Sequence, residues 1–418
     1  MTYIEFFDNN ATKNVAACLM YTPEQVIYIG NNKKLIDKAI ADYDKIFKNR
    51  GHNIKFDRVI FDKKDLDYLI NLLSNIVENY DDCIFDITGG DEMLILALGI
   101  VFSKYLDKNI QIHKINIRSN MVYDCDKDGH TVCQKTPMLS VEENIRIYGG
   151  EIVYGSVLED NTYRWNLNAE FLNDVDMMWN ICKTDVRYWN TQLGVFSAIE
   201  DMGIVSEDWL TTTASVEKTV NYLKKHKAKY MLSKGLINSL LRLGLLTQCS
   251  EDNEGNITIS YKNDQVKKCL TKAGMLLEMK VFILAKAAVN KKGEIVYDDA
   301  LNGVCIDWDG EFHDELIEDV YDTENEIDVL LMHDMIPVFI SCKNGVVTQD
   351  ELYKLNVVAE RFGGEYAKKV LVVTSLSEQE SAMYIRQRAS DMGIKILEDI
   401  QDLSDGEISR KLSNYWKQ

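Results

Sequence analysis

Residues 325–345 read NEIDVLLMHDMIPVFISCKNG and hold two strand signals, EIDVLLM and MIPVFISCK. Side chains two apart on a strand share one face. Glu326 and Asp328 therefore point one way on the first strand, and Ser341 and Lys343 point together on the next. An acid in an isolated strand ordinarily marks a solvent-exposed face. Here Asp328 stands in an otherwise apolar run and Lys343 ends another, and neither charge suits burial without a partner or a metal ion. The flanking sequence extends the pattern. Upstream lie a helical stretch, CLTKAGMLLEMKVFILAKAA, which carries Glu278, and the strand signal GVCIDW. Downstream lie a helix over 350–362, a strand KVLVVTS, a helix over 378–392 and a last strand IKIL. This α-βββ-αβ order predicts a mixed α/β core over residues 267–418.

A hairpin with an acid on one strand and a lysine on its neighbour resembles the site of PD-(D/E)xK nucleases. Carboxylate oxygens hold a hard divalent ion. The ion stabilises charge on the scissile phosphate and helps make a hydroxide nucleophile. The lysine orients the attacking water or stabilises the developing charge. The motifs KAGMLLE, GVCIDWDG, NEIDVLLMHDMIPVFISCKNG and ELYKLNVVAERFGGEYAKKVLVV together resemble the CARF-domain CRISPR ancillary nucleases, almost continuously over 267–400. The resemblance implies Glu278 as the acid of the first helix, Asp328 as the principal metal aspartate, Lys343 as the catalytic lysine, and Mn²⁺ or Mg²⁺ as the ion. Ser341 departs from it, since such sites usually carry an acid there. Glu326, the backbone carbonyl of Cys342 or water could complete the shell. Tyr353 and Lys354, on the following helix, either line a substrate channel or are ordinary amphipathic-helix residues.

The first 120 residues alternate strand signals (YIEFF, VIYIG, FDRVIF, CIFDIT, IQIHKINI) with helices over 11–20, 33–50, 65–79 and 92–105. Such βαβ units predict a mostly parallel sheet covered on both faces, with ligands at the carboxyl ends of its strands. CIFDITGGDEM places Thr88, Gly89 and Gly90 at one such end. Glycines let backbone N–H groups reach a ligand, and a helix N-terminus favours anions; a tight turn explains them equally well. The segment resembles the TGG loop of CARF sensor domains, which bind cyclic oligoadenylate made during type III CRISPR defence. The first strand–helix loop, FFDNNATKN, then offers Asp8, Asn9, Asn10 and Thr12 to bases or ribose, with a helix cap by Asn10 or Thr12 as the alternative. Asp91 and Glu92 would meet sugar hydroxyls or adenine amino groups rather than phosphate. Residues 121–157 read as hairpin-like, with turns at DKDG and YGG.

The middle of the chain reads helical over 167–204, anchored by Trp179, Tyr188, Trp189 and Phe196. From Trp209 to Lys292 there are 15 Lys and Arg against 6 Asp and Glu, within a chain of net charge −19. Helices, a polar turn EDNEG and a strand ITISY resemble a winged helix. Its lysines form either a patch that counters phosphate charge or a solvated face. The expected fold is α/β: an N-terminal Rossmann-like CARF domain (1–157), a helical and winged-helix connector (158–266) and a C-terminal PD-(D/E)xK restriction-endonuclease-like domain (267–418).

At 418 residues the chain suits two or three domains at about 150 residues each. Its acidity argues against a general nucleic-acid coat protein. The nine cysteines form no C-x-x-C or zinc spacing, which predicts buried thiols in a reducing compartment. No run approaches the ~20 apolar residues of a membrane span. The acidic opening MTYIEFFDNN lacks the basic start of a signal peptide, so a cytoplasmic protein without a membrane partner is expected. The six histidines are isolated, no phosphate-binding P-loop or G-x-S-x-G occurs, and Asp314, Glu315, Glu318 and Asp319 read as a solvated acidic cluster. The combined expectation is a homodimeric nuclease of type III CRISPR antiviral defence. It is switched by a cyclic oligoadenylate, expected to be cyclic tetra-adenylate, and cuts DNA or RNA. The alternative is a non-catalytic DNA-binding regulator with a decayed nuclease fold, which Ser341 favours and which intact Glu278, Asp328 and Lys343 oppose. A constitutive repair nuclease is a weaker third.

Overall fold

The computed structural model describes residues 2–80, 82–125, 129–132, 137–156, 159, 161–311 and 324–417. The cluster Asp314, Glu315, Glu318 and Asp319 and most of the DKDG turn lie outside the described residues. The first module contains strands β1 (Thr2–Phe6), β2 (Gln25–Gly30), β3 (Lys55–Ile60), β4 (Asp82–Asp86), β5 (Asn109–Asn116), β6 (Met121–Asp124) and β7 (Gly129–Val132). Helices α1 (Ala11–Tyr21), α2 (Lys33–Asn49), α3 (Leu66–Asn79) and α4 (Glu92–Lys104) connect the first five. The sheet order is β3-β2-β1-β4-β5-β6-β7. Its first five strands are parallel, and β6 and β7 extend it as an antiparallel hairpin. α3 and α4 pack on one face, through Leu69, Leu73, Leu94 and Leu98.

The chain does not continue as a hairpin. Residues 141–147 form α5 (Val141–Ile147), followed by β8 (Glu151–Ile152). The S-x-x-E spacing of Ser140 and Glu143 makes a capping box, which satisfies two otherwise orphan donors and starts the helix. Ile152 of β8 pairs with Ile306, in the C-terminal sheet.

The middle segment runs α6 (Ala169–Cys182), α7 (Val186–Met202), β9 (Ile204–Val205), β10 (Thr211–Ser215), α8 (Val216–Lys225), α9 (Lys234–Arg242), β11 (Leu246–Glu251) and β12 (Asn256–Tyr261). Its sheet order is β11-β12-β10-β9, with the antiparallel β11–β12 pair as the wing. The charge excess divides. Lys218, Lys224, Lys225, Lys227 and Lys229 are exposed. Lys262 pairs with Glu170 and Asp174, buried Lys267 with Glu200, and buried Lys280 with Asp176 and Asp405.

The last module contains α10 (Asp264–Thr271), α11 (Met275–Lys286), β13 (Asp299–Asp307), β14 (Glu324–His333), β15 (Ile336–Lys343), α12 (Gln349–Gly363), β16 (Lys368–Val373), α13 (Ala382–Asp391), β17 (Ile394–Leu397) and α14 (Asp405–Leu412). The expected single opening helix is two helices. Gly274 at φ 86° breaks it, a backbone state that glycine adopts without a Cβ penalty. The break sets Glu278 in the first turn of α11. The sheet order is β17-β16-β15-β14-β13-β8.

The modules share cores. Tyr28, Tyr43 and Phe47 of the first belong to one apolar cluster with Phe339, Leu352 and Phe362 of the last. Burial of each such side chain contributes ~1.5–3 kcal/mol, so the first sheet is built onto the last rather than tethered to it. No helix among the described residues is long and apolar enough to cross a membrane.

Candidate functional site

Antiparallel pairing sets Val329 opposite Ile340, so the next pair outward is Asp328 and Ser341. Both Ser341 Oγ, at 3.1 Å, and the Cys342 N–H, at 2.5 Å, donate to Asp328 Oδ2. Cys342 thus meets the aspartate through its N–H. Glu278, 6% exposed, reaches in from α11, and its Oε2 has no hydrogen-bond partner. Burial, then the charges of Asp328 and Glu326, pushes the Glu278 pKa well up, against Lys272 and Lys343. Burial likewise raises that of Asp328. Burial works against the Lys343 ammonium, yet Asp328, Glu351 and Glu278 outweigh it and hold its pKa above the ordinary lysine value. Lys343 Nζ lies 2.9 Å from Glu351 Oε2. Glu326, one candidate to complete the shell, pairs with Lys272 Nζ at 3.4 Å and its charge raises the pKa values of Glu278 and Asp328. Tyr353 and Lys354 are exposed on α12.

A buried carboxylate with an orphan oxygen, beside a second that is half-buried, is costly without a counter-charge. A hard divalent cation matches that donor set. Among the described residues no group of three or more His, Cys, Asp or Glu side chains could hold a metal ion. An ion here would draw on two side-chain carboxylates and take its other ligands from backbone, water or substrate. Lys272 and Glu351 were missed in the sequence. A lysine before a helix break and an acid in a helix's first turn both read as surface residues.

At the carboxyl end of the first sheet, Asp8 ties two loops together. Its Oδ1 accepts from the Asn10 N–H at 2.8 Å and its Oδ2 from the Gly90 N–H at 3.1 Å. A Cβ on Gly89 would lie 2.7 Å from Asp8 Cβ, and one on Gly90, at φ 99°, would lie 2.2 Å from Phe6 Cβ. Both glycines are therefore demanded by packing, whatever else they do, and Gly90→Val cannot separate ligand contact from misfolding. Thr88 Oγ1 accepts from the Ile115 N–H. Asp91 caps α4 and pairs with Lys64. Asn9 and Glu92 are exposed. Asn10 caps α1; with fully buried Thr12 it meets Tyr148, the residue ending α5, rather than solvent. Tyr148 Oη donates to Asn10 Oδ1 at 2.9 Å and lies 3.0 Å from Thr12 Oγ1. A cavity of about 760 Å³ at this end is lined by Lys13, Thr88, Lys114, Asn116, Arg118 and Tyr123, among others.

Beneath these loops, Glu5, Asp86 and His113 lie in register across three strands. All three are buried, and Glu5 Oε1 and Asp86 Oδ2 lack partners. His113 faces Asp124 and Tyr3. Burial lifts the Asp86 pKa from 3.8 to about 6, with hydrogen bonds from Thr88 opposing the rise. The native state then holds a proton that the unfolded chain gives up. Stability falls as pH rises from about 4 to 6, and the full penalty of roughly 3 kcal/mol stands above that. Asp86→Asn should remove it. In urea unfolding the variant should gain nothing near pH 4 and gain most above pH 6. A gain independent of pH would assign the effect to packing instead.

No protein-family profile matches the chain, and no curated protein matches it in sequence. Solved structures do match it. Protein VC1899 from Vibrio cholerae aligns over 100% of this chain and 98% of its own, at 14% identity and a TM-score of 0.72. Can2 from Sulfobacillus thermosulfidooxidans, solved in complex with cyclic tetra-adenylate, aligns over 100% of this chain and 97% of its own, at 14% identity and a TM-score of 0.67. The chain has their fold. The α/β fold expected from the sequence, with a Rossmann-like parallel sheet first and a mixed sheet last, is therefore the one found. The match to Can2 is continuous along the whole chain.

Proposed function

We propose that the chain is a nuclease of type III CRISPR defence, activated by cyclic tetra-adenylate and dependent on Mn²⁺ or Mg²⁺, acting as a cytoplasmic homodimer on DNA or RNA. The observation that carries this reading is the pair of buried Glu278, with its orphan oxygen, and half-buried Asp328, beside Lys343 on the neighbouring strand. A divalent ion held there would stabilise charge on a phosphodiester and acidify a water. Asp328 and Glu278 would hold it, and the Cys342 N–H and Ser341 Oγ fix the aspartate. The Lys343 ammonium would stabilise the charge that a phosphate oxygen gains.

At the other end, Lys114 and Arg118 bring positive charge to a cavity that Lys13, paired with Asp8 and Glu365, also lines, at the strand ends where open parallel sheets bind ligands. Can2, of the same fold, is bound to cyclic tetra-adenylate in its structure. A two-fold ligand suits an isologous dimer, and α4, almost wholly apolar, leaves Leu96 51% exposed beside this end. The described cysteines are free thiols, in keeping with a reducing compartment.

The test is purified protein with Mn²⁺, plasmid or labelled single strands, and a panel of cyclic oligoadenylates. Cleavage that requires cyclic tetra-adenylate supports the reading. Cleavage without any activator sinks the switch, and tight ligand binding without cleavage favours the regulator. Ser341 refines the site. Its hydroxyl adds one hydrogen bond to an aspartate already held by the Cys342 N–H. Such a bond is worth ~1 kcal/mol, so Ser341→Ala should keep cleavage within about tenfold of the parent. A loss as deep as that of the aspartate variant below would make the serine a direct participant.

A further inference from the structure

The ion pair between Lys343 and Glu351 has no place in the nuclease chemistry above. Lys343 is the last residue of β15, and its side chain is 29% exposed. Four rotatable bonds give a lysine ~2 kcal/mol of rotamer entropy to lose, so an ammonium that must meet one phosphate oxygen needs something to hold it. Its own strand offers nothing. Ser341, one pleat back on the same face, is neutral and donates to Asp328. Asp328 Oδ2 is taken by two other donors. The carboxylate that does reach Nζ comes from α12, five residues of chain past the strand end, at 2.9 Å.

α12 is a firm base for it. Leu352, Leu355, Val358 and Phe362 bury one side of the helix in the core. Asp350 also stands in the first turn and already complements the helix dipole there. The Glu351 side chain is only 24% exposed and faces the lysine. As a surface ion pair it would add little stability; its value lies in geometry.

We infer that Glu351 is the positioning residue for Lys343: its carboxylate, brought in by α12, fixes the ammonium beside Asp328 and Glu278, where the neutral Ser341 cannot. This rests on the nuclease reading above. Glu351 acts through the lysine and not as a ligand of the ion.

The experiment compares the full-length parent with Glu351→Gln and Glu351→Ala. It measures kcat and KM on a labelled strand at saturating activator, and Mn²⁺ affinity by calorimetry without substrate. A misplaced catalytic group costs on the order of a hundredfold, so kcat should fall between about tenfold and a hundredfold in both variants. KM and Mn²⁺ affinity should stay within about twofold. Unchanged kcat overturns the proposal. So does a Mn²⁺ affinity weakened tenfold or more, which would make Glu351 a ligand. A parent that cuts nothing under any activator overturns the nuclease reading, and this proposal with it; a cutting parent with normal variants overturns this proposal alone.

Discussion

Asp328→Asn should lower phosphodiester cleavage by about a thousandfold or more while leaving the molecule folded. A bound ion supplies several kcal/mol of charge stabilisation, and each ~1.4 kcal/mol is a factor of ten in rate. Asparagine keeps the shape of aspartate and an oxygen that can accept from the Cys342 N–H and Ser341 Oγ, the two donors that now hold Oδ2. What it loses is charge. In the parent that charge is half-buried beside Glu278, and burial raises both carboxyl pKa values. Without metal, the variant should therefore be at least as stable as the parent above neutral pH, where the parent must keep both groups ionised or protonated at a cost. With metal the order reverses. A ligand at a hundred times its Kd stabilises a fold by ~2.7 kcal/mol, so Mn²⁺ should raise the parent's melting temperature and leave that of Asp328→Asn unmoved. Binding of cyclic tetra-adenylate at the first sheet should be the same in both. A variant that cuts as fast as the parent in Mn²⁺ would remove Asp328 from the site.

Asp328 and Lys343 were legible because charge is rare inside apolar strands, and period-two spacing tells which residues share a face. The βαβ alternation of the first module was legible for the same local reason. What escaped was decided at long range. β8 has two residues, too few for any periodicity, and its partner strand begins almost 150 residues later. α5 is short, and its capping box was the only mark it left. Glu351 reads as an ordinary helix-start acid until the fold sets it against Lys343. Asn10 and Thr12 were expected to offer hydrogen bonds to a ligand. Helix capping accounts for Asn10, but only the tertiary structure shows that both meet Tyr148 at the end of α5.

That contact gives Tyr148→Phe its interest. The variant should leave both ends of the molecule working and weaken the link between them. Burial pushes the Tyr148 pKa up to about 12, so the hydroxyl stays a donor at any physiological pH. It binds Asn10, which caps α1, and Thr12 in the first turn of that helix, while the Tyr148 carbonyl accepts from the Arg361 guanidinium near the end of α12. Just past that helix, Gly364 sits so close that a Cβ would lie 2.9 Å from both Asn10 Nδ2 and Tyr148 Oη. The first turn of the same helix carries Glu351, paired with Lys343. One 15-residue helix, ~22 Å long, therefore runs from the loop after β1 to the lysine. A displacement of the loop by ligand has a rigid element to act through. Loss of one buried hydrogen-bonding group costs ~1–3 kcal/mol, the size of a typical coupling energy between sites. Stimulation of cleavage by cyclic tetra-adenylate should accordingly fall at least about tenfold in Tyr148→Phe. Unstimulated Mn²⁺ affinity should stay the same, and affinity for the activator should move by no more than about threefold. Stimulation equal to the parent's would mean that the signal bypasses Tyr148. A loss of activator affinity beyond tenfold would mean that the hydroxyl shapes the loop after β1 itself, and the link from that loop to the lysine would have to be sought outside α12.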